Sequence, residues 1–104
     1  MMNSNAAKHT KQLLDLDFLI SILPEQGCLE LQRDQALKVH DWHEHPRDET
    51  LIVLKGEIVF SLPERDILCG RGDYINLPAG TQHRSSTGNQ GCIYVIAFCA
   101  VNLG

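Results

Sequence analysis

The segment His43-Glu44-His45-Pro46-Arg47-Asp48-Glu49 packs three good metal ligands into seven residues. In an extended strand side chains alternate between faces, so His43 and His45 point the same way and their imidazoles can converge on one ion, while Glu44 points away. Pro46 cannot donate to a ladder and suits the turn that follows. Glu49 then opens the next strand and can return its carboxylate to the same side. A fourth ligand must come from elsewhere, and His83 is the candidate, just beyond the turn at Pro78-Ala79-Gly80. An isolated His-x-His is more often an exposed pair than a site; the Glu and the distant His weigh against that here. Three neutral imidazoles and one carboxylate suit Fe, Mn, Ni, Cu or Zn, and affinity alone does not choose among them. A six-coordinate ion would keep two positions for water, substrate or dioxygen.

Other polar residues read as bystanders. His40 lies an odd number of residues from His43 and so faces the other side of a continuous strand, and His9 sits in a polar tail. Trp42, off the ligand face, reads as packing or as part of a rim. Arg47 and Asp48 read as turn residues. Arg84, next to His83, has a lesser claim on an anionic substrate, and Tyr94 can act as an acid only if its strand turns it inward.

The elements that must position these groups are short strands. Residues 1–12 are polar and read as a flexible tail, leaving 13–104 as one domain. From there the chain shows strand-like runs separated by Gly, Pro, Asp and Asn, the pattern of an all-β sandwich or barrel. The runs are Cys28 to Arg33, more weakly Ala36 to Val39, Glu49 to Lys55 and Glu57 to Leu62 around Gly56, Asp66 to Cys69, Asp73 to Leu77, and Cys92 to Val101 after a loop at Asn89-Gln90-Gly91. Gly56 and Gly80 stand at turns that need a residue without Cβ.

The spacing of these residues resembles the cupin family, whose motifs read G-x5-H-x-H-x3,4-E-x6-G and G-x5-P-x-G-x2-H-x3-N. His43, His45, Glu49 and Gly56 match the first motif, and Gly72, Pro78, Gly80 and His83 the second. Leu37 stands where the first glycine belongs and Thr87 where the final asparagine belongs; neither is a ligand in the family. The resemblance implies an all-β double-stranded β-helix, or jelly-roll barrel, with a divalent metal inside one mouth held by His43, His45, Glu49 and His83. It does not fix a reaction. One expectation is a metal enzyme acting on a small metabolite, either a non-haem oxygenase or a Lewis-acid isomerase or lyase. The alternative is a non-catalytic module that binds a small molecule or only the metal.

Composition narrows the partners. A net charge of −4 gives no basic footprint for a nucleic acid. The apolar stretch from Leu13 to Leu23 contains Asp15 and Asp17 and precedes Pro24, so it is neither a signal peptide nor a membrane span. Cys28, Cys69, Cys92 and Cys99 have no scaffold spacing and read as reduced, mostly buried thiols in a cytoplasmic protein. Arg71-Gly72-Asp73 reads as a turn. Glu49, Leu51 and Val53 inward would leave Ile52 and Leu54 outward, and the run from Cys92 is likewise apolar on both faces. A homodimer covering that outer face is therefore expected, with the Leu13 to Leu23 segment as the competing cover.

Overall fold

A computed structural model describes residues 5–10, 14–25 and 27–101. Among these described residues seven strands and one helix follow in the order β1 (Ala7–His9), α1 (Leu16–Ile22), β2 (Leu29–Asp34), β3 (Val39–His43), β4 (Glu49–Ser61), β5 (Asp66–Gly70), β6 (Tyr74–Leu77) and β7 (His83–Ala97). All pairings are antiparallel, in the order β1-β6-β4-β7-β2, with β3 on β7 and β5 on β4. This is the all-β jelly roll the sequence leads one to expect.

β4 and β7 form the spine, paired from Thr50↔Ala97 to Ser61↔Arg84. The sequence reads Lys55-Gly56 as a connection and Asn89-Gln90-Gly91 as a loop; instead β4 and β7 each run unbroken through those residues and bend there. The bends need glycine. Gly56 has φ +83° and Gly91 φ +67°, a Cβ on Gly56 would overlap the Gly91 carbonyl oxygen, and one on Gly91 would overlap the Asp34 carbonyl oxygen. Gly56 therefore lets β4 approach β7, and Gly91 lets β7 approach the end of β2, at a spacing that a side chain would not permit.

Two other readings change. Ala7–His9 is not a loose tail but a strand on β6, with His9 stacked on Tyr74 at 4.5 Å between ring centroids; the remainder of the expected tail lies largely outside the described residues. Ala36 and Leu37 form a turn instead of a strand, and Val39 opens β3. Leu37 occupies this turn at φ +59°, a conformation costly for a residue with a Cβ. Thr87 pins the turn from below: its hydroxyl donates to Gln35 O at 2.6 Å and accepts from Lys38 N at 2.9 Å. Leu37 is 71% exposed, so Leu37→Gly removes strain and little packing. Relief of about 1–2 kcal/mol exceeds the roughly 0.5–1 kcal/mol of added unfolded-chain freedom. The variant should melt a few degrees higher in a thermal scan, and a lower midpoint would show that the Leu side chain has a packing role.

The strands alternate as their sequences suggest. Leu51 and Val53 join Phe60, Ile75, Leu77 and Tyr94 in the interior, while Ile52, Tyr74, Val95 and Ala97 form an outer layer under Ile22 and Val101, flanked by Leu14, Phe18, Leu29 and Leu54. The chain thus covers its outer face with its own helix. Asp15, one of the two charges inside the apolar stretch, is the N-cap of α1 and accepts from Phe18 N at 2.9 Å. The expectation that the helical segment is too short to shield two strands fails because Val101 and Leu29 complete the cover. Cys69 and Cys92 are buried, but Cys28 and Cys99 are exposed, so only half the thiols are interior. Burial pushes the Cys69 thiol up to about 11 and the Cys92 thiol up to about 12. Among the described residues no helix is long and apolar enough to cross a membrane.

Candidate metal centre

His43 ends β3, His45 lies two residues beyond it, and His83 opens β7. His43 faces His83 directly in the β3–β7 register. The connection carrying His45 is tied down on the turn before β7. Gly80 N donates to His45 O at 2.9 Å, Ala79 N donates to the Asp48 carboxylate at 2.9 Å, and Gln82 Nε2 donates to the Glu44 carboxylate at 2.6 Å. Asp48 and Glu44 therefore act as latches that bring one histidine motif against the other. Their sequence neighbourhood predicts a turn but gives no sign of its partner.

The ligand atoms of His43, His45 and His83 lie within 4.8 Å of one another. The Nδ1–H of His43 donates to Asp41 O, and that of His83 donates to Thr81 O at 2.8 Å. Each ring therefore keeps Nε2 unprotonated, the arrangement that prepares an imidazole for a metal. Glu49 stands outside the three-histidine group but beside it, its Oε1 3.2 Å from His45 Nε2. Ligands about 2.1 Å from one ion stand roughly 3 Å apart when adjacent and roughly 4.2 Å apart when opposite. The His45–Glu49 separation matches adjacent ligands, and the three histidine ligand atoms, all within 4.8 Å of one another, are close enough to converge on one ion. The donor set present fits a divalent transition ion.

Electrostatics agree with a site short of positive charge. Burial pushes the Glu49 carboxyl up, against the lowering pull of His45 and His43. Burial pulls the His83 imidazole below its ordinary value, helped by His43 and His45 and opposed by the bond to Thr81 O. A depressed folded-state value means that the unfolded chain takes up the proton first, so the stability His83 contributes is complete above about pH 6.5 and drains away as pH falls below it. Glu49, shifted the other way, acts in the opposite sense, and its effect begins near its own raised value. In chelator, wild-type urea stability should fall between pH 7 and 5.5 relative to His83→Asn; parallel curves would show that His83 is not the titrating group.

These groups sit in a cavity of about 300 Å³ whose walls also include Glu30, Gln32, Tyr94 and, against expectation, His40. His40 pairs with Ser85 and His43 with His83, so three residues of β3 span two of β7. That β-bulge adds a residue and turns His40 to the same side as His43. Tyr94 does point inward. Trp42 is 48% exposed and lines none of this cavity, and neither does Arg84. Arg47 has more than a turn role, its guanidinium lying 5.8 Å from the Phe98 ring centroid beside His45 and Glu49.

The family model for the cupin domain matches residues 31–98, which include all four candidate ligands. The chain belongs to the cupin family. Its solved relatives in shape include a cupin-2 domain protein from Shewanella frigidimarina (TM-score 0.59, 19% identity, 81% of this chain and 91% of that one). Another is a family protein of Thermotoga maritima (TM-score 0.65, 13% identity, 90% and 99%). At such identities the likeness concerns the fold. This cupin is also 35% identical over 60 residues to an acireductone dioxygenase from a Synechococcus strain, covering 54% of the chain and 32% of that protein. It thus spans about a third of the length of the curated relative it matches.

Proposed function

We propose that this cupin is a non-haem metal oxygenase acting on a small metabolite, with His43, His45, Glu49 and His83 holding one divalent ion. The observation that carries the reading is the trio of imidazoles, two pinned through Nδ1, at the wall of an open cavity. The local likeness to an acireductone dioxygenase supports oxygen chemistry over a purely Lewis-acid role. Bound there, the ion would supply open coordination positions for substrate and dioxygen. Among the described residues no lysine or arginine lines the cavity, whereas Glu30, Asp34 and Glu49 stand in or beside it, which disfavours sugar phosphates and other strongly anionic substrates. A non-catalytic binding module is the competing reading. Protein reconstituted with iron under anaerobic conditions should consume dioxygen in proportion to an added small neutral enediol. Zinc as the resident metal, with no oxygen uptake by the iron form, would favour the module.

The protein is also proposed to be a homodimer. The outer face once expected to need a partner is sealed, so support now comes from α1. Leu16, Ile20 and Leu23, at i, i+4 and i+7, are 69%, 56% and 54% exposed on its outward side. Light scattering at micromolar concentration should give twice 11.6 kDa, falling to the single-chain mass in Ile20→Glu; a wild-type monomer overturns the dimer.

A further inference from the structure

The cavity has a second polar end, built from the inward side of β2. Asp34 is 3% exposed and accepts from three side chains: His40 Nε2 at 3.0 Å from each carboxylate oxygen, the Tyr94 hydroxyl at 2.9 Å and Gln32 Nε2 at 3.0 Å. Burial works against the charge, but these hydrogen bonds and the nearby His40 together hold the carboxyl below its ordinary value. An ionised carboxylate only accepts, so His40 gives its Nε2–H to Asp34, and whenever the ring carries a single proton the free lone pair is on Nδ1. The Tyr94 proton is committed to Asp34, and burial followed by that bond pushes its pKa far up, which removes the phenol as an acid. His40 is half-buried and lines the cavity that holds the three histidines. The other titratable groups facing it are Glu30 from β2, Glu49 from β4 and the histidine cluster. None of them is a resident cation when the imidazoles are neutral.

We propose that the Asp34–His40 pair is the proton acceptor of this site, and that its ligand is a neutral compound with two adjacent oxygen atoms, at least one an acidic hydroxyl. The inference rests on the metal reading for the other end of the cavity. Its grounds are chemical. The carboxylates, and the lack of lysine or arginine in the walls among the described residues, favour a ligand that arrives uncharged, the metal end calls for oxygen donors, and the buried carboxylate stabilises an imidazolium formed next to it. In the transfer the ligand O–H bond breaks, its electron pair stays on the ligand oxygen, and the proton forms a bond to His40 Nδ1. The imidazolium so produced is ion-paired with Asp34. Tyr94 and Gln32 hydrogen-bond to Asp34 and so position it.

The probe is catechol, which is uncharged at neutral pH, bound there to protein loaded with redox-silent zinc and followed by calorimetry in two buffers of unlike ionisation heat. Wild type should retain the proton, and His40→Gln, which can still donate to Asp34 but has no basic nitrogen, should release about one more proton per site to the buffer. The variant should take up zinc as wild type does. Equal proton release by the two proteins overturns the proposal, as does loss of zinc from the variant, which would make His40 a ligand. Zinc binding without catechol binding in wild type overturns it while leaving the metal site intact; absence of zinc binding in wild type sinks the metal reading itself. Nitrogen-15 histidine spectra of the wild-type protein give a test that needs no variant: His40 should be the Nε2–H tautomer, and the Nδ1–H tautomer contradicts the pairing.

Discussion

His83→Ala should lower affinity for a divalent transition metal by at least about a hundredfold, since removing even an outer-shell partner of a metal ligand costs 10–100-fold. His83 is 4% exposed and faces His43 across the β3–β7 ladder, so its loss removes one of the three imidazoles that converge there. The fold should survive, because truncation removes a side chain whose hydrogen bond is to a local carbonyl and leaves the β4–β7 spine untouched. Titration with zinc under competition by a chromophoric chelator measures the loss. Full occupancy in the variant would mean that His43, His45 and Glu49 suffice and that His83 has been assigned wrongly.

Gly56→Val is the largest expected blow to stability. The new Cβ meets the Gly91 carbonyl oxygen, which is backbone and cannot rotate away, and a β-branched residue must also hold φ near +83°. A loss of roughly 3–5 kcal/mol is expected, a large part of the usual margin and equivalent to a melting point lower by roughly 15 °C or more. Gly80→Val provides the internal comparison. It too sits at positive φ, +77°, but its Cβ would approach only the Glu44 carboxylate at 3.6 Å. Strain alone, about 1–3 kcal/mol, should separate it from wild type. Equal melting points for the two variants would contradict the close crossing of β4 and β7.

How much of this was legible in the sequence depends on whether the signal was local. Alternation in β4 and β7 correctly sorted Leu51 and Val53 from Ile52 and Leu54, because each strand has one face on the barrel interior and the other under α1. The same alternation in β2 gave no sense of direction. Its polar set, Glu30 and Gln32, faces the cavity, while Leu31 is 68% exposed; a barrel with an open polar mouth reverses the usual rule for that strand. His40 was missed for a different reason. Counting residues presumes a regular strand, and the bulge between His40 and His43 is a property of pairing with β7 that no single segment records. β4 reads as two strands in the sequence, and of β7 only the part from Cys92 reads as strand, since glycine marks a bend in a continuous strand as readily as a turn. The latches from Asp48 and Glu44 join residues 31 and 38 positions apart and leave no local trace.

The most direct test of the account is the metal content and coordination of the protein as it leaves its host cell, measured by elemental analysis and X-ray absorption on the same sample. About one divalent first-row ion per chain is expected, with a shell of nitrogen and oxygen ligands at roughly 2.0–2.3 Å and the outer scattering of several imidazoles. Protein that carries only traces of such metals and takes none up on reconstitution, or a shell that contains sulfur from the cysteines, would contradict it.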